Sequence, residues 1–239
     1  MNVRSLTRIG TALAGAAVST LALAGPAQAA SGTILVPDDF NPTYSDTRAT
    51  GHYEVQGAGL RVFTESNTST DKVAEYVDTN TPLASTGEPT LDYTPTSGTI
   101  PPGYQLIVDF DADGTNDGIL VGEKVYNGTW WLNNAADADI KAAAPHTGGG
   151  YGSPYYGTLD EWRANFPNAI VKAFGFSLGS GVKGDGVINS ITFAGTTYTF
   201  AKPVVLTSKD QCKNGGYKTS TSPVFTTQGE CVSSFSTTK

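Results

Sequence analysis

Two alternating runs, Val187 to Phe193 and Thr196 to Phe200, are joined by nothing more than Ala194-Gly195. Strands that close on a two-residue connection pair antiparallel, and an isolated hairpin is too weak to stand in water without further strands and a second layer. Val187, Ile191 and Phe193 are expected to share one face of this hairpin, as are Thr196, Tyr198 and Phe200. The same constraint recurs along the chain. Tyr53 to Val55, Leu60 to Thr64 and Val73 to Val77 have strand length. Gln105 to Phe110 puts Leu106, Val108 and Phe110 on one side, and Gly118 to Val121, Trp130 to Leu132 and Ala169 to Phe176 follow. With 28 Gly and 13 Pro between such runs, the pattern predicts an all-β, two-sheet sandwich that is jelly-roll-like. The polar, Pro-bearing stretch Asp78 to Pro102 reads as ordered loop with one strand near Leu91 to Tyr93.

One short helix is expected. Thr158-Leu159-Asp160-Glu161 spells a capping box, and Pro167 stops what it starts. Leu159, Trp162 and Phe166, three and four residues apart, form the buried stripe of that helix.

Both ends of the chain differ from the middle. Arg4 and Arg8, an apolar small-residue run from Ile9 to Ala24, and Ala27-Gln28-Ala29 together read as a secretory signal peptide over residues 1–29. That run is too short and too interrupted for a bilayer span, so no membrane anchor is expected. The sandwich domain is assigned to 30–205. Residues 206–239 are polar and hold both cysteines, and in an exported protein Cys212 and Cys231 should pair, closing a tail ring of about 20 residues. The formal charge of −7, with no basic cluster, argues against nucleic acid or anionic lipid as a partner.

The chemistry is sparse. With 2 His, 2 Cys and 1 Met, thiol catalysis, haem ligation and zinc clusters have few residues to draw on. Gly175-Phe176-Ser177-Leu178-Gly179 has the spelling of a nucleophile elbow, but the glycine-rich LGSGVKGDG after Ser177 carries no helix pattern. His52 and His146 both precede the serine, against the usual chain order. The stretch reads as a strand entering a turn.

The sharpest motif is VDFDADGTNDG, in which Asp109, Asp111, Asp113 and Asp117 occupy positions 1, 3, 5 and 9 of a loop, with Gly114 at the bend and Thr115 offering a backbone carbonyl. Alternate residues of a tight loop carry carboxylates to one point, as a calcium ion requires. A solvated Asp/Gly turn is the alternative. The spacing resembles the DxDxDGxxD calcium loop of integrin-type propeller repeats. That resemblance implies a ligand role for these residues, while the single copy argues against a propeller. Longer phrases, GTLDEWRANFP, FGFSLGSGVKGDGVINSITFAGTTYTF and KDQCKNGG with QGECVS, resemble a group of secreted actinobacterial proteins. The resemblance implies export and a β-sandwich and brings no activity with it.

Tyr151, Tyr155, Tyr156 and Trp131 gather around the glycine-rich segment Pro145 to Gly157. Flat rings on a loop suit the apolar faces of sugars, and ordinary packing is the alternative. The functional expectation is a secreted, non-catalytic, calcium-stabilised binding protein for a polysaccharide or cell-wall glycan. Two alternatives stay open: an extracellular carbohydrate-active enzyme with paired carboxylates, and a surface structural or adhesive protein with a protein partner.

Overall fold

A computed structural model describes residues 30–123, 128–133, 137–149 and 153–236. The predicted signal peptide and Tyr151 lie outside them. The chain forms β1 (Ala30–Leu35), β2 (Gly51–Gln56), β3 (Gly59–Thr64), β4 (Lys72–Pro82), β5 (Thr90–Ser97), β6 (Gly103–Asp109), β7 (Gly118–Gly122) and β8 (Trp130–Leu132). Then come α1 (Ala138–Ala143), β9 (Tyr156–Gly157), α2 (Leu159–Asn165), β10 (Ile170–Gly179), β11 (Asp185–Phe193), β12 (Thr196–Ala201) and, in the tail, α3 (Gln228–Ser234).

The strands build two sheets, as the alternation requires. One runs β1-β12-β11-β3-β2 with β5 on the other side of β11, and the second runs β4-β10-β6-β7-β8-β9. The chain passes between sheets after β3, β4, β5 and β10, so half of the strand pairings join strands that are not consecutive. β1 lies parallel to β12 and the other pairings are antiparallel.

Between the sheets, Leu60, Val62, Ile191 and Phe193 meet Leu106, Val108, Leu120 and Phe176, all nearly inaccessible to water. Each side chain buried on this scale contributes roughly 1.5–3 kcal/mol of transfer free energy. The outer face of the second sheet is also apolar: Ala74, Tyr76, Ile107 and Ala173 form a smaller cluster covered by Tyr44. The segment between β1 and β2 is tied over this face, with Asn41 N–H donating to the Tyr76 carbonyl at 2.8 Å.

α2 is built as its sequence spells it. Glu161 N–H donates to Thr158 Oγ1 and the Glu161 carboxylate accepts from Thr158 N–H at 2.8 Å. Trp162 is fully buried, its indole N–H donating to the Trp130 carbonyl at 3.0 Å.

Several elements depart from expectation for identifiable reasons. The pairing of β11 with β5 slips between Ile188 and Ser190. Ile188 is therefore buried where Val187 is not, and the face expected for Val187, Ile191 and Phe193 is broken. The stretch 78–102 is more ordered than expected, since β4 continues along β10 to Pro82 and β5 spans Thr90–Ser97. α1, with Ile140 as its single buried residue, offers no apolar period to read.

Ser177 sits mid-strand in β10, opposite Ala74 and Gly103, at 6% exposure. A serine held in a two-sided ladder is not on an elbow.

The tail is helical as well as stapled. Cys212 and Cys231 form a disulfide with Cα atoms 5.8 Å apart, buried with Phe225 in a core separate from that of the sandwich. A formed disulfide suits an oxidising environment. No described helix is long and apolar enough to cross a membrane.

Candidate functional site

The turn from β6 to β7 carries the acidic motif. Asp117 N–H donates to the Val108 carbonyl at 2.9 Å, and Phe110 N–H donates to Asp117 Oδ2 at 2.6 Å, so the loop is closed on itself. Asp109 Oδ2 accepts from Gly114 N–H at 2.9 Å, across a bend in which Gly114 has φ +101°. That region favours glycine. Oxygens of Asp109, Asp111 and Asp117 all come within 4.8 Å of one another.

Asp113 is not among them. Its carboxylate turns forward to Thr115, accepting from N–H at 2.8 Å and Oγ1 at 2.7 Å, and these bonds hold its pKa low. Asp117 shifts the other way: burial raises its pKa, and the charges of Asp111 and Asp109 raise it further. Three carboxylates brought to one point, with only oxygen donors converging, fit a hard divalent cation. The cluster can hold a metal ion.

The aromatic segment is arranged differently from a platform. Trp130 and Trp131 point to opposite faces of β8, as adjacent strand residues must. Trp130 is buried, and Trp131 is half-buried with its indole N–H donating to Glu123 Oε2 at 3.2 Å. Tyr156 pairs opposite Trp131 in β9, and its hydroxyl accepts from Ser153 N–H at 3.2 Å. Its backbone is held by Pro145 and Thr147 on the other side, and the residue is only 7% exposed. Tyr155 is half-buried, with its ring 5.4 Å from that of His146. β9 adds a strand to the sheet at β8, so at Tyr156 the packing alternative holds rather than an exposed ring.

The open site lies elsewhere. Between β5 and the β6-β7-β8 face is a cleft of about 750 Å³. β5 ends the first sheet here, while the second sheet continues past β6 to β9. Its walls include Leu91, Tyr93 and Pro95 from β5, Ile100 from the following connection, Tyr104 from β6 and Trp130 from β8. Tyr104 and Trp130 meet edge to face with centroids 5.8 Å apart, and Tyr104 is anchored by its hydroxyl, which donates to the Thr192 carbonyl at 3.3 Å. Gly122 makes room for Trp130, because a Cβ there would come within 2.9 Å of the indole ring.

Glu88 and Glu123 are the charged residues among the described lining. Glu88 pairs with Arg163 at 3.1 Å. Burial pushes the Glu123 carboxyl up from its ordinary pKa, against the opposing effect of the Trp131 hydrogen bond.

Sequence reasoning placed strands near Leu91 to Tyr93 and at Trp130 to Leu132 and did not bring them together. Alternation of Leu91, Tyr93 and Pro95 against Thr90, Asp92 and Thr94 was the available signal for β5. Compared with known proteins, the chain matches no family model, no curated protein and no solved structure.

Proposed function

We propose that this chain is an exported, non-catalytic glycan-binding protein that takes a saccharide in the cleft between β5 and β6-β8. The observation that carries the reading is the cleft itself. Its volume is within the range of ligand sites, about 300–1,000 Å³, and its lining combines aromatic and aliphatic residues with Thr90, Thr99 and Thr129. Such walls match the mixed apolar faces and hydroxyl edges of sugar rings. Export is supported by the Cys212–Cys231 disulfide and by the leader-like composition of residues 1–29.

The bound cation we infer at Asp109, Asp111 and Asp117 is calcium, on the oxygen-only donor set and the likeness of spacing to known calcium loops. Its role is structural. Tyr104 lines the cleft at one end of β6 and Asp109 stands at the other, about 17 Å along the strand. The ion would fasten the β6-β7 turn without touching ligand.

The test is co-sedimentation of the exported chain with chitin, cellulose and peptidoglycan, alongside Tyr93→Ala. Binding by the wild type that Tyr93→Ala loses is the expected result, and no binding to any of the three sinks the reading. A second reading, glycoside hydrolysis, is favoured by one observation: Glu88 and Glu123 share the cleft, one ion-paired and one raised by burial. Release of reducing ends during the same incubation would establish it.

A further inference from the structure

The connection from β3 to β4 carries a triplet that neither the cleft nor the acidic loop uses. Asn67-Thr68-Ser69 has the spelling Asn-x-Ser, with a residue other than proline in the middle. An oligosaccharyltransferase reads that spelling in an exported chain, taking the asparagine amide as acceptor and requiring a hydroxyl two residues on. The middle position is open to any residue but proline.

The fold divides the triplet along the same line. Asp71, nearly inaccessible to water, accepts from Thr68 N–H at 2.8 Å, from the Thr68 hydroxyl and from Ser66 Oγ at 2.6 Å. The Thr68 carbonyl accepts from Asp71 N–H at 3.1 Å and from Gly181 N–H at 2.9 Å. Ser66 and Thr68 are therefore tied down on either side of Asn67. Asn67 and Ser69 are exposed, and neither side chain has a hydrogen-bond partner in the protein. The two side chains that a transferase needs are free, and the one it ignores is the one the loop consumes. A second triplet, Asn127-Gly128-Thr129, begins outside the described residues and has its hydroxyl engaged, since Thr129 Oγ1 donates to the Gly149 carbonyl at 3.1 Å. Asn41 is followed by Pro42, which the enzyme does not accept.

We propose that Asn67 is a site of N-linked glycosylation. The donor is an oligosaccharide carried on a polyprenyl pyrophosphate. The Asn67 amide nitrogen bonds to the anomeric carbon of the first sugar as the bond from that carbon to the pyrophosphate oxygen breaks. The carrier pyrophosphate leaves with the bonding pair, and the proton lost from the amide passes to it. The glycan extends from the end of the sandwich at which the β10-β11 connection meets this loop at Gly181. The proposal is independent of the glycan-binding reading and rests only on export of the chain.

The test is peptide mass spectrometry of residues 30–239, secreted behind the host's own leader by a host that carries an oligosaccharyltransferase. The expected result is a glycan on the Asn67 peptide in most of the secreted chain, removed by peptide N-glycosidase with conversion of Asn67 to aspartate. Asn67→Gln and Ser69→Ala should each abolish it, and Ser69→Thr should retain it. Both positions are exposed, so the melting temperature of the unglycosylated variants should move by less than about 2 °C, which separates loss of the acceptor from loss of the fold. A secreted wild type whose Asn67 peptide is unmodified overturns the proposal. A mass increase on that peptide that survives Asn67→Gln places the sugar on a neighbouring hydroxyl and overturns it as well.

Discussion

Removing the tail disulfide should unfold the tail and leave the sandwich intact. Cys212 and Cys231 are 19 residues apart in sequence, and opening a ring of that size frees about 3 kcal/mol of chain entropy in the unfolded state. The tail has little to set against this. Its core is Cys212, Cys231 and Phe225 with partly buried neighbours such as Tyr217 and Val232, and segments below about 40 residues seldom bury enough surface to fold without a cross-link. Its ties to the chain before it are local: Val204 N–H donates to Thr221 Oγ1 at 2.6 Å and Thr221 N–H donates to the Val204 carbonyl at 2.9 Å. The perturbation is Cys212→Ser with Cys231→Ser, read by hydrogen exchange and calorimetry. Amides of the 3₁₀ segments over Lys209–Thr219 and of α3 should lose protection entirely. The sandwich melting temperature should change by less than about 1 °C, because its core shares no buried side chain with that of the tail. Persistent protection in α3, or a drop of several degrees in the sandwich, would refute a boundary near residue 205.

Calcium at a hundred times its Kd should raise the melting temperature by about 5–10 °C, from roughly 2.7 kcal/mol of linkage in a domain of this size. Asp117→Asn should abolish the rise, seen by differential scanning fluorimetry with and without EDTA. Asp71, 2% exposed, accepts from Ser66 Oγ at 2.6 Å, from the hydroxyls of Thr50 and Thr68 and from Thr68 N–H at 2.8 Å, and these bonds hold its pKa far below the ordinary carboxylate value. A depressed folded-state pKa gives stability that is present above the unfolded value of about 3.9 and is lost as pH falls towards the folded one. The melting-temperature deficit of Asp71→Asn should therefore be full at pH 7 and shrink below about pH 4 in a thermal series. Gly122→Ala should press the Trp130 ring into the cleft and weaken glycan binding, with a shift in Trp130 fluorescence as the independent readout.

What the sequence revealed was what depends on neighbours along the chain. Thr158 and Glu161 cap α2 within one turn, and Ala194-Gly195 closes β11 on β12, so both could be read directly. The acidic loop was legible for the same reason, except that Asp113 is drawn to Thr115 by a bond two residues long that competes with convergence. The cleft was not legible. Tyr93 and Trp130 come together only because β5 pairs with β11, nearly a hundred residues later, while β8 extends the other sheet. The bulge that turns Ile188 inward depends on that same long-range pairing. Tyr156 looked like a free loop aromatic because nothing in PHTGGGYGSPYYG announces that β8 will accept a further strand.

The most direct test of the cleft is an amide NMR titration of residues 30–239 with a soluble oligosaccharide of the polymer that the chain co-sediments with. Saturable shifts centred on Leu91, Tyr93, Ile100, Gly122 and Trp130, with the Asp109–Asp117 loop unmoved, are the predicted result. Shifts centred on Tyr155 and Tyr156, or none at millimolar ligand, would contradict it.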